Sequence, residues 1–389
     1  MNSGRTVFSQ IMATIPLRHF HRCVDRYGGD YKVKSFSCLD QFLTLAFAQL
    51  TYRESLRDIE SCLRAVQPRM YHLGFRCERI SRNTLANANE QRDWRIFADF
   101  AQALIAEARS LYEGEDLGFA LDQTAFALDS TLIDLCLSLF PWAPHQRSKA
   151  GVKVHTLLDL RGSLPAYLHV SGAHASDVSL LDSLPLQAGS IYIMDRGYIH
   201  FKRLYALAQA SAFFVVRARD NMKYRRRYSH PVDKNVGLKS DQTIILTGVD
   251  SAKDYPAPAR RVHFFDSEHR KDLVFLTNHF SIPALTVAQL YKSRWKVELF
   301  FKWIKQHLRI KAFYGTSSNA VKIQIWVAIS VYLMLAIIKK RLQLRADLYR
   351  ILQVVSITVL EKTPLLLAFQ NIESQALDEL PSNQLNLFD

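Results

Sequence analysis

The chain of 389 residues, 49% of them hydrophobic, can bury a large core spread over two or three domains, which excludes a disordered chain. Fifty Lys and Arg against 36 Asp and Glu leave a formal charge of +14, which favours a polyanionic partner while leaving DNA, RNA and an anionic membrane surface open. The five cysteines, Cys23, Cys38, Cys62, Cys77 and Cys136, are odd in number and lack CxxC or zinc-like spacing, so they read as free thiols in a reducing cytosol.

From about Phe8 to Leu117 the chain is helical in pattern, and "MNSGRTVFSQIMATIPLRHF" lacks the apolar stretch of a signal peptide. The segments are "FSQIMATIPLRHFHRCVDRY", "CLDQFLTLAFAQLTY", "SLRDIESCLRAV" and "NTLANANEQRDWRIFADFAQALIAEARSLY", with Ser55 and Ser81 placed as N-caps. "SLRDIESCL", a turn-rich connection and "ISRNTLANANEQR" have the outline of a helix-turn-helix whose second helix would enter a major groove. Ordinary bundle helices are the competing reading.

At Gly118 the pattern changes to β: "TAFALDSTLIDL", "VKVHTLLDL" and "LPAYLHVSG", then a short helical piece "DVSLLDSL". The apolar strand "SIYIMDRGY" ends at Asp195, and helix "IHFKRLYALAQA" and strand "AFFVVRAR" follow, which predicts a mixed α/β sheet. A carboxylate at the end of a central strand is a frequent place for chemistry in such sheets.

Beyond Arg219, "DNMKYRRRYSHPVDKN" reads as a basic loop, and Lys223, Arg225, Arg226 and Arg227 suit phosphate contacts. "QTIILTGV", "ARRVHFFD" and "KDLVFLTNHF" then suggest an inserted β-subdomain reaching about Pro283.

No Gly or Pro interrupts Thr286 to Ile310, so one helix is expected, with Thr286 as N-cap. At about 100° per residue, Tyr291, Arg294, Glu298, Lys302, Lys305 and Arg309 share one face, and Leu290, Val297, Phe300, Phe301, Ile304 and Leu308 gather on another. Next comes "WVAISVYLMLAII", Trp326 to Ile338, shorter than the roughly 18 residues of a membrane span and read as a core helix. The tail "SQALDELPSNQLNLFD" is polar and Pro-interrupted. The expected domains are 1–117 helical and DNA-binding, 118–219 catalytic core, 220–283 β-rich insertion, 284–345 second part of the core, and 346–389 C-terminal segment.

Metal-assisted phosphoryl transfer needs converging carboxylates to hold two Mg²⁺ ions. Asp129, Asp195 and Glu298 sit where such a set would arise: within a first strand, at the end of a central strand and on a late helix. Asp122 and Asp134 compete with Asp129, and a solvated Arg294–Glu298 pair at i,i+4 is the plainer account of Glu298.

The chain resembles the DDE transposases of the insertion-sequence-4 family, whose last catalytic region reads YxxRxxxExxxxxxK. Tyr291, Arg294, Glu298 and Lys305 match it at every spacing, with "DSTLIDLCLSLFPWA" and "MDRGY" in the expected order. The resemblance covers nearly the whole chain and implies an RNase H-like core with catalytic Asp129, Asp195 and Glu298 as metal ligands. It also implies two Mg²⁺ ions, replaceable by Mn²⁺, and binding of terminal inverted repeats by a synaptic homodimer. Cleavage would free a 3′-OH, by way of a hairpin, and join it to target double-stranded DNA. The expected place is the cytoplasm, at the nucleoid, with no membrane and no small-molecule substrate.

On this reading Tyr291, Arg294, Lys302 and Lys305 grip DNA around the metals, while Arg196 and Tyr198 contact the strand being cut. Lys153 and His155, alternating onto one face of the second strand, approach the active site or DNA, with a structural histidine as the competing reading. Trp295 and Trp303 read as packing residues, or as a platform for a flipped base. A non-catalytic end-binding repressor and a nuclease that cannot join ends are the competing functions.

Overall fold

The computed structural model describes residues 4–146, 149–306 and 313–370. Arg309, Leu308 and the polar tail from Ser374 lie outside these residues. The elements in chain order are α1 (Val7–Met12), α2 (Leu17–Arg26), α3 (Cys38–Leu50), α4 (Leu56–Ala65), α5 (Arg82–Gln91), α6 (Arg95–Tyr112), β1 (Ala125–Leu135), β2 (Pro144–Gln146), β3 (Lys149–Asp159), β4 (Leu164–Gly172) and β5 (Ile191–Met194). Then follow α7 (Phe201–Gln209), β6 (Phe213–Arg217), β7 (Tyr224–His230), β8 (Leu238–Leu246), α8 (Val249–Asp254), β9 (Ala259–Asp266), β10 (Lys271–Thr277), α9 (Ala284–Ser293), α10 (Trp295–Gln306), α11 (Ser318–Arg341) and α12 (Leu348–Thr358).

The chain divides into two compact units that interleave in sequence: residues 1–112, 133–150 and 302–389 form one, and 113–132 with 151–301 the other.

The first unit is helical because its segments carry proper starts. Thr6, Ser37, Ser55 and Ser81 each accept the backbone N–H of the residue three positions on, satisfying a donor the helix leaves unpaired. Both sequence-predicted caps are among them. The centre is α11, whose 24 residues are apolar nearly all round and almost wholly buried, with α6 and α3 packed against it. Tyr112 on α6 donates its hydroxyl to the Ala336 carbonyl at 2.9 Å. By length and composition α11 matches a membrane span, longer than the Trp326–Ile338 run suggested, and its burial among these helices makes it a core helix.

The second unit is built on a mixed sheet. β1, β5 and β6 run parallel, β10 joins β6 antiparallel, and β9, β8 and β7 follow in antiparallel order; β3 lies on the other side of β1 and pairs with β4. The "IYIM" strand β5 is buried at every position, as a central parallel strand covered on both faces requires. The β-rich insertion expected over 220–283 does not stand apart: β10 closes the open edge of β6, so its strands extend the same sheet. The "basic loop" contains strand β7, exposed along nearly its whole length at the sheet edge. Its Arg-rich sequence hides the strand because neither face is buried.

A buried ion pair ties this sheet to the helix that follows. Arg260 on β9 donates Nε and a terminal nitrogen to the two oxygens of Asp241 on β8, at 2.9 and 2.8 Å, with both side chains 6% exposed. Its other terminal nitrogen donates to the carbonyls of His279 (3.0 Å) and Ile282 (2.6 Å), which lead into α9.

Candidate active site

The register of β1 and β5 pairs Leu128 with Met194, and the next residues follow that pair on adjacent parallel strands, Asp129 still inside β1 and Asp195 just past the end of β5. Asp129 is 22% exposed, and the Ser130 backbone N–H donates to its Oδ1 at 2.8 Å. Tyr291 on α9 donates its hydroxyl to Asp195 Oδ1 at 3.0 Å. Arg294 donates one terminal nitrogen to Asp129 Oδ2 (2.9 Å) and the other to Glu298 Oε1 (2.6 Å). Through these contacts the three predicted carboxylates meet around Arg294 and Tyr291, while Asp122 and Asp134 have no part in that network.

The single helix expected from Thr286 is two, capped at Pro283 rather than Thr286 and interrupted at Arg294. The Arg294 N–H reaches back to the Tyr291 carbonyl and the Val297 N–H to the Arg294 carbonyl, so the backbone tightens to i→i+3 bonds without Gly or Pro. Val297, Phe300, Phe301 and Ile304 are buried, as the apolar face predicted. Lys302 is exposed and Lys305 half-buried farther along α10.

Electrostatically the cluster is a set of carboxylates, two of them bridged by the Arg294 guanidinium. Burial pushes the Asp129 pKa up, with Glu298 and Asp195 adding to the effect and the Ser130 amide and Arg294 opposing it. Burial disfavours the Arg294 charge, yet Asp129, Tyr291 and Glu298 hold its pKa above the ordinary value. Burial and Asp195 push the Tyr291 hydroxyl up to about 12, keeping it a donor.

Hard carboxylate oxygens gathered around a cation are the donor set that Mg²⁺ and Mn²⁺ favour, so the residues fit a divalent metal. Among the described residues, Asp266, Glu268 and His269 bring their ligand atoms closest together, within 4.8 Å. That turn between β9 and β10 already holds a cation, since Lys292 Nζ lies 2.7 Å from Glu268 and 3.9 Å from Asp266.

Lys153 and His155 do share a face of β3, and both turn to an acid that sequence reading passed over. Asp177 Oδ1 lies 3.2 Å from Lys153 Nζ and 3.5 Å from His155 Nδ1, and accepts the Ser130 hydroxyl at 2.6 Å. The signal was present: a lysine and a histidine facing inward from a buried strand call for a carboxylate partner. Tyr198 is buried rather than presented to a ligand, and its hydroxyl has no hydrogen-bond partner among the described residues. Burial, with Asp129 and Asp177, pushes its pKa up. Arg196 is exposed, 3.5 Å from Asp220. Lys223, Arg225, Arg226 and Arg227 are exposed along β7 and the residue before it.

Burial lowers the pKa of His155 to about 4, against the pull of Asp177, and that of His279 to about 4 with help from Arg260. Both fold in the neutral form, so their contribution is complete above the unfolded value near 6.5 and is lost as pH falls toward 4. Each is expected to cost on the order of 3 kcal/mol across that window. Thermal unfolding between pH 8 and pH 4.5 checks this, with His279→Asn flattening the profile.

A family model described as "Transposase DDE domain" matches residues 120–334, and one described as "Domain of unknown function (DUF4372)" matches residues 3–76. A protein of Sinorhizobium fredii named as a transposase is 32% identical over 262 residues, 65% of this chain and 70% of its own length. A Geobacillus stearothermophilus protein named as the transposase for insertion sequence element IS5377 is 30% identical over 54% of this chain and 55% of its own length. One from Synechocystis, named for element IS4SA, is 23% identical over 83% of this chain and 89% of its own length. A solved piggyBac transposase synaptic complex with hairpin DNA aligns at a TM-score of 0.44 and 10% identity over 97% of this chain and 82% of that one, a superposition too loose to carry an argument. A family match over more than half of the chain, joined by a relative 32% identical over 262 residues, makes this protein a member of the DDE transposases of insertion elements, enzymes that process DNA.

Proposed function

We propose that the protein binds the terminal inverted repeats of its own element and cuts there with Asp129, Asp195 and Glu298 as the metal-holding carboxylates. It then joins the freed 3′-OH to target DNA in a cut-and-paste reaction with a hairpin at the element end. The observation that carries this reading is the pairing of Asp129 and Glu298 through Arg294, with Asp195 held by Tyr291 on α9, the helix that precedes Arg294. Two divalent metals at such a cluster supply an activated attacking oxygen and a stabilised leaving oxygen.

The chain's own residues do the rest. Asp129 and Asp195, fixed on neighbouring strands of a sheet read here as RNase H-like, give the site a rigid floor, and Glu298 is brought to it by α10. Arg294 holds the two flanking carboxylates together in the metal-free chain. With a divalent metal held by those carboxylates, Arg294 would be free to pair with a phosphate beside the scissile one, and Tyr291 would be free to leave Asp195. Lys302, Lys305 and Arg196 add positive charge for the DNA backbone, and Lys153, tied to Asp177, supports the site from behind. α5, with Arg82, Asn83, Thr84 and Asn87 exposed after the Ser81 cap, is the helix suited to base edges. The working assembly is a homodimer on paired ends, acting at the nucleoid.

The test is a Mg²⁺-dependent cleavage and joining assay on labelled duplexes copied from the DNA flanking the gene, with Asp195→Ala as control. Cutting and joining that vanish in the control support the reading. Binding without cutting marks an end-binding repressor, and cutting without joining a nuclease.

The β7 arginines give a separate expectation. If each meets a phosphate, replacing Arg225, Arg226 and Arg227 with Ala should flatten the plot of log affinity against log salt by about 0.9 per lost contact. An unchanged slope in a filter-binding titration would remove β7 from the DNA interface.

A further inference from the structure

We infer that Asp177 is a positioning residue that sets the orientation of Asp129 through Ser130, an inference resting on Asp129 as a metal ligand. Asp177 lies between β4 and the short 3₁₀ turn Val178–Asp182, 48 residues on from Asp129 in sequence and outside the family motif. Its Oδ1 accepts the Ser130 hydroxyl at 2.6 Å, the length of a charge-assisted O–H···O⁻ bond. Ser130 in turn donates its backbone N–H to Asp129 Oδ1 at 2.8 Å. One residue therefore links the two acids: its side chain is pinned by Asp177 and its amide pins Asp129.

That amide occupies one oxygen of Asp129 and leaves the other, Oδ2, for the cation at the centre of the cluster, the place Arg294 takes. If the Ser130 hydroxyl were free, the peptide carrying the amide would lose its anchor on the Asp177 side. The Asp129 carboxylate would then sample other rotations about its own Cβ–Cγ bond.

Asp177 is poorly placed to be a ligand itself. The same oxygen that takes the Ser130 hydroxyl also faces Lys153 and His155, and Lys153 is further fixed by donating to the Ala175 carbonyl at 2.8 Å. A carboxylate kept only to neutralise Lys153 has no need of Ser130. Partners that orient a metal-ligating group typically change metal affinity by 10–100-fold when removed.

The experiment measures Mn²⁺ binding to the full chain without DNA, by calorimetry, in the wild type, Asp177→Ala, Ser130→Ala, their double variant, Asp177→Asn and Asp129→Asn. Asp177→Ala and Ser130→Ala should each weaken Mn²⁺ binding about tenfold, and the double variant should be no weaker than either single one. Asp177→Asn keeps an oxygen for the Ser130 hydroxyl and should largely restore the affinity. Weakening by Asp177→Ala but not by Ser130→Ala would mean that its charge acts through space, and would overturn the inference. Unchanged affinity in both would overturn it as well. Wild-type binding that survives Asp129→Asn would instead refute the ligand assignment underneath. Should Asp177→Ala fail to fold by circular dichroism, Ser130→Ala, which keeps every charge, decides the matter alone.

Discussion

Glu298→Gln is expected to abolish end cleavage while leaving end binding near that of the wild type. On the proposed reading Glu298 is a metal ligand, and losing one hard anionic ligand forfeits several kcal/mol of transition-state stabilisation, about a thousandfold or more in rate. The fold should survive, because Glu298 is 32% exposed and the glutamine oxygen can still accept the Arg294 nitrogen that now lies 2.6 Å away. No phosphate contact is removed, so affinity for the ends has no reason to fall. Single-turnover cleavage and gel-shift binding on the same duplex separate the two effects. Retained cleavage would return Glu298 to the role of an i,i+4 partner for Arg294, and parallel loss of binding and cleavage would show a damaged fold.

Asp241→Ala is expected to be the most destabilising simple substitution in the sheet unit. It strands the Arg260 guanidinium, 6% exposed, beside carbonyls that can bond it but cannot neutralise it. Breaking a buried pair from one side typically costs about 3–5 kcal/mol, whereas replacing both members with apolar residues of similar volume is often neutral. Urea unfolding should therefore show a large shift for Asp241→Ala and a smaller one for Asp241→Leu combined with Arg260→Met. A cost below about 1 kcal/mol would match an exposed pair, with water reaching the guanidinium. Because Arg260 also holds the carbonyls leading into α9, the single variant should loosen the helix that carries Tyr291.

The legible parts of the sequence were those with strong local signals. β5 announced itself as an unbroken apolar run ending in an acid, Ser55 and Ser81 as caps, and the Arg294–Glu298 pair by its i,i+4 spacing. The break at Arg294 was not legible, since a turn tightened to i→i+3 bonds needs no special residue. Strand β7 was missed because its pattern of burial, which sequence periodicity reports, is absent at an exposed edge. Asp177 escaped notice because its partners, Ser130 and Lys153, come from strands distant in sequence and meet it only after the sheet has formed.

The interleaving of the two units separates the inherited module from the folding module. The segment shared with the DDE transposases, 120–334, takes in parts of both units and ends inside α11, seven residues short of its last, Arg341. Among the helices that pack on α11, the set α3, α5 and α6 comes from before residue 113 and α12 from after residue 334. A fragment cut to the family boundaries would expose the long, buried helix α11 to water and would be expected to aggregate. Recombination between related elements would meet the same constraint: a chimaera joined at either boundary is expected to fold only where the incoming helices match the surface of α11.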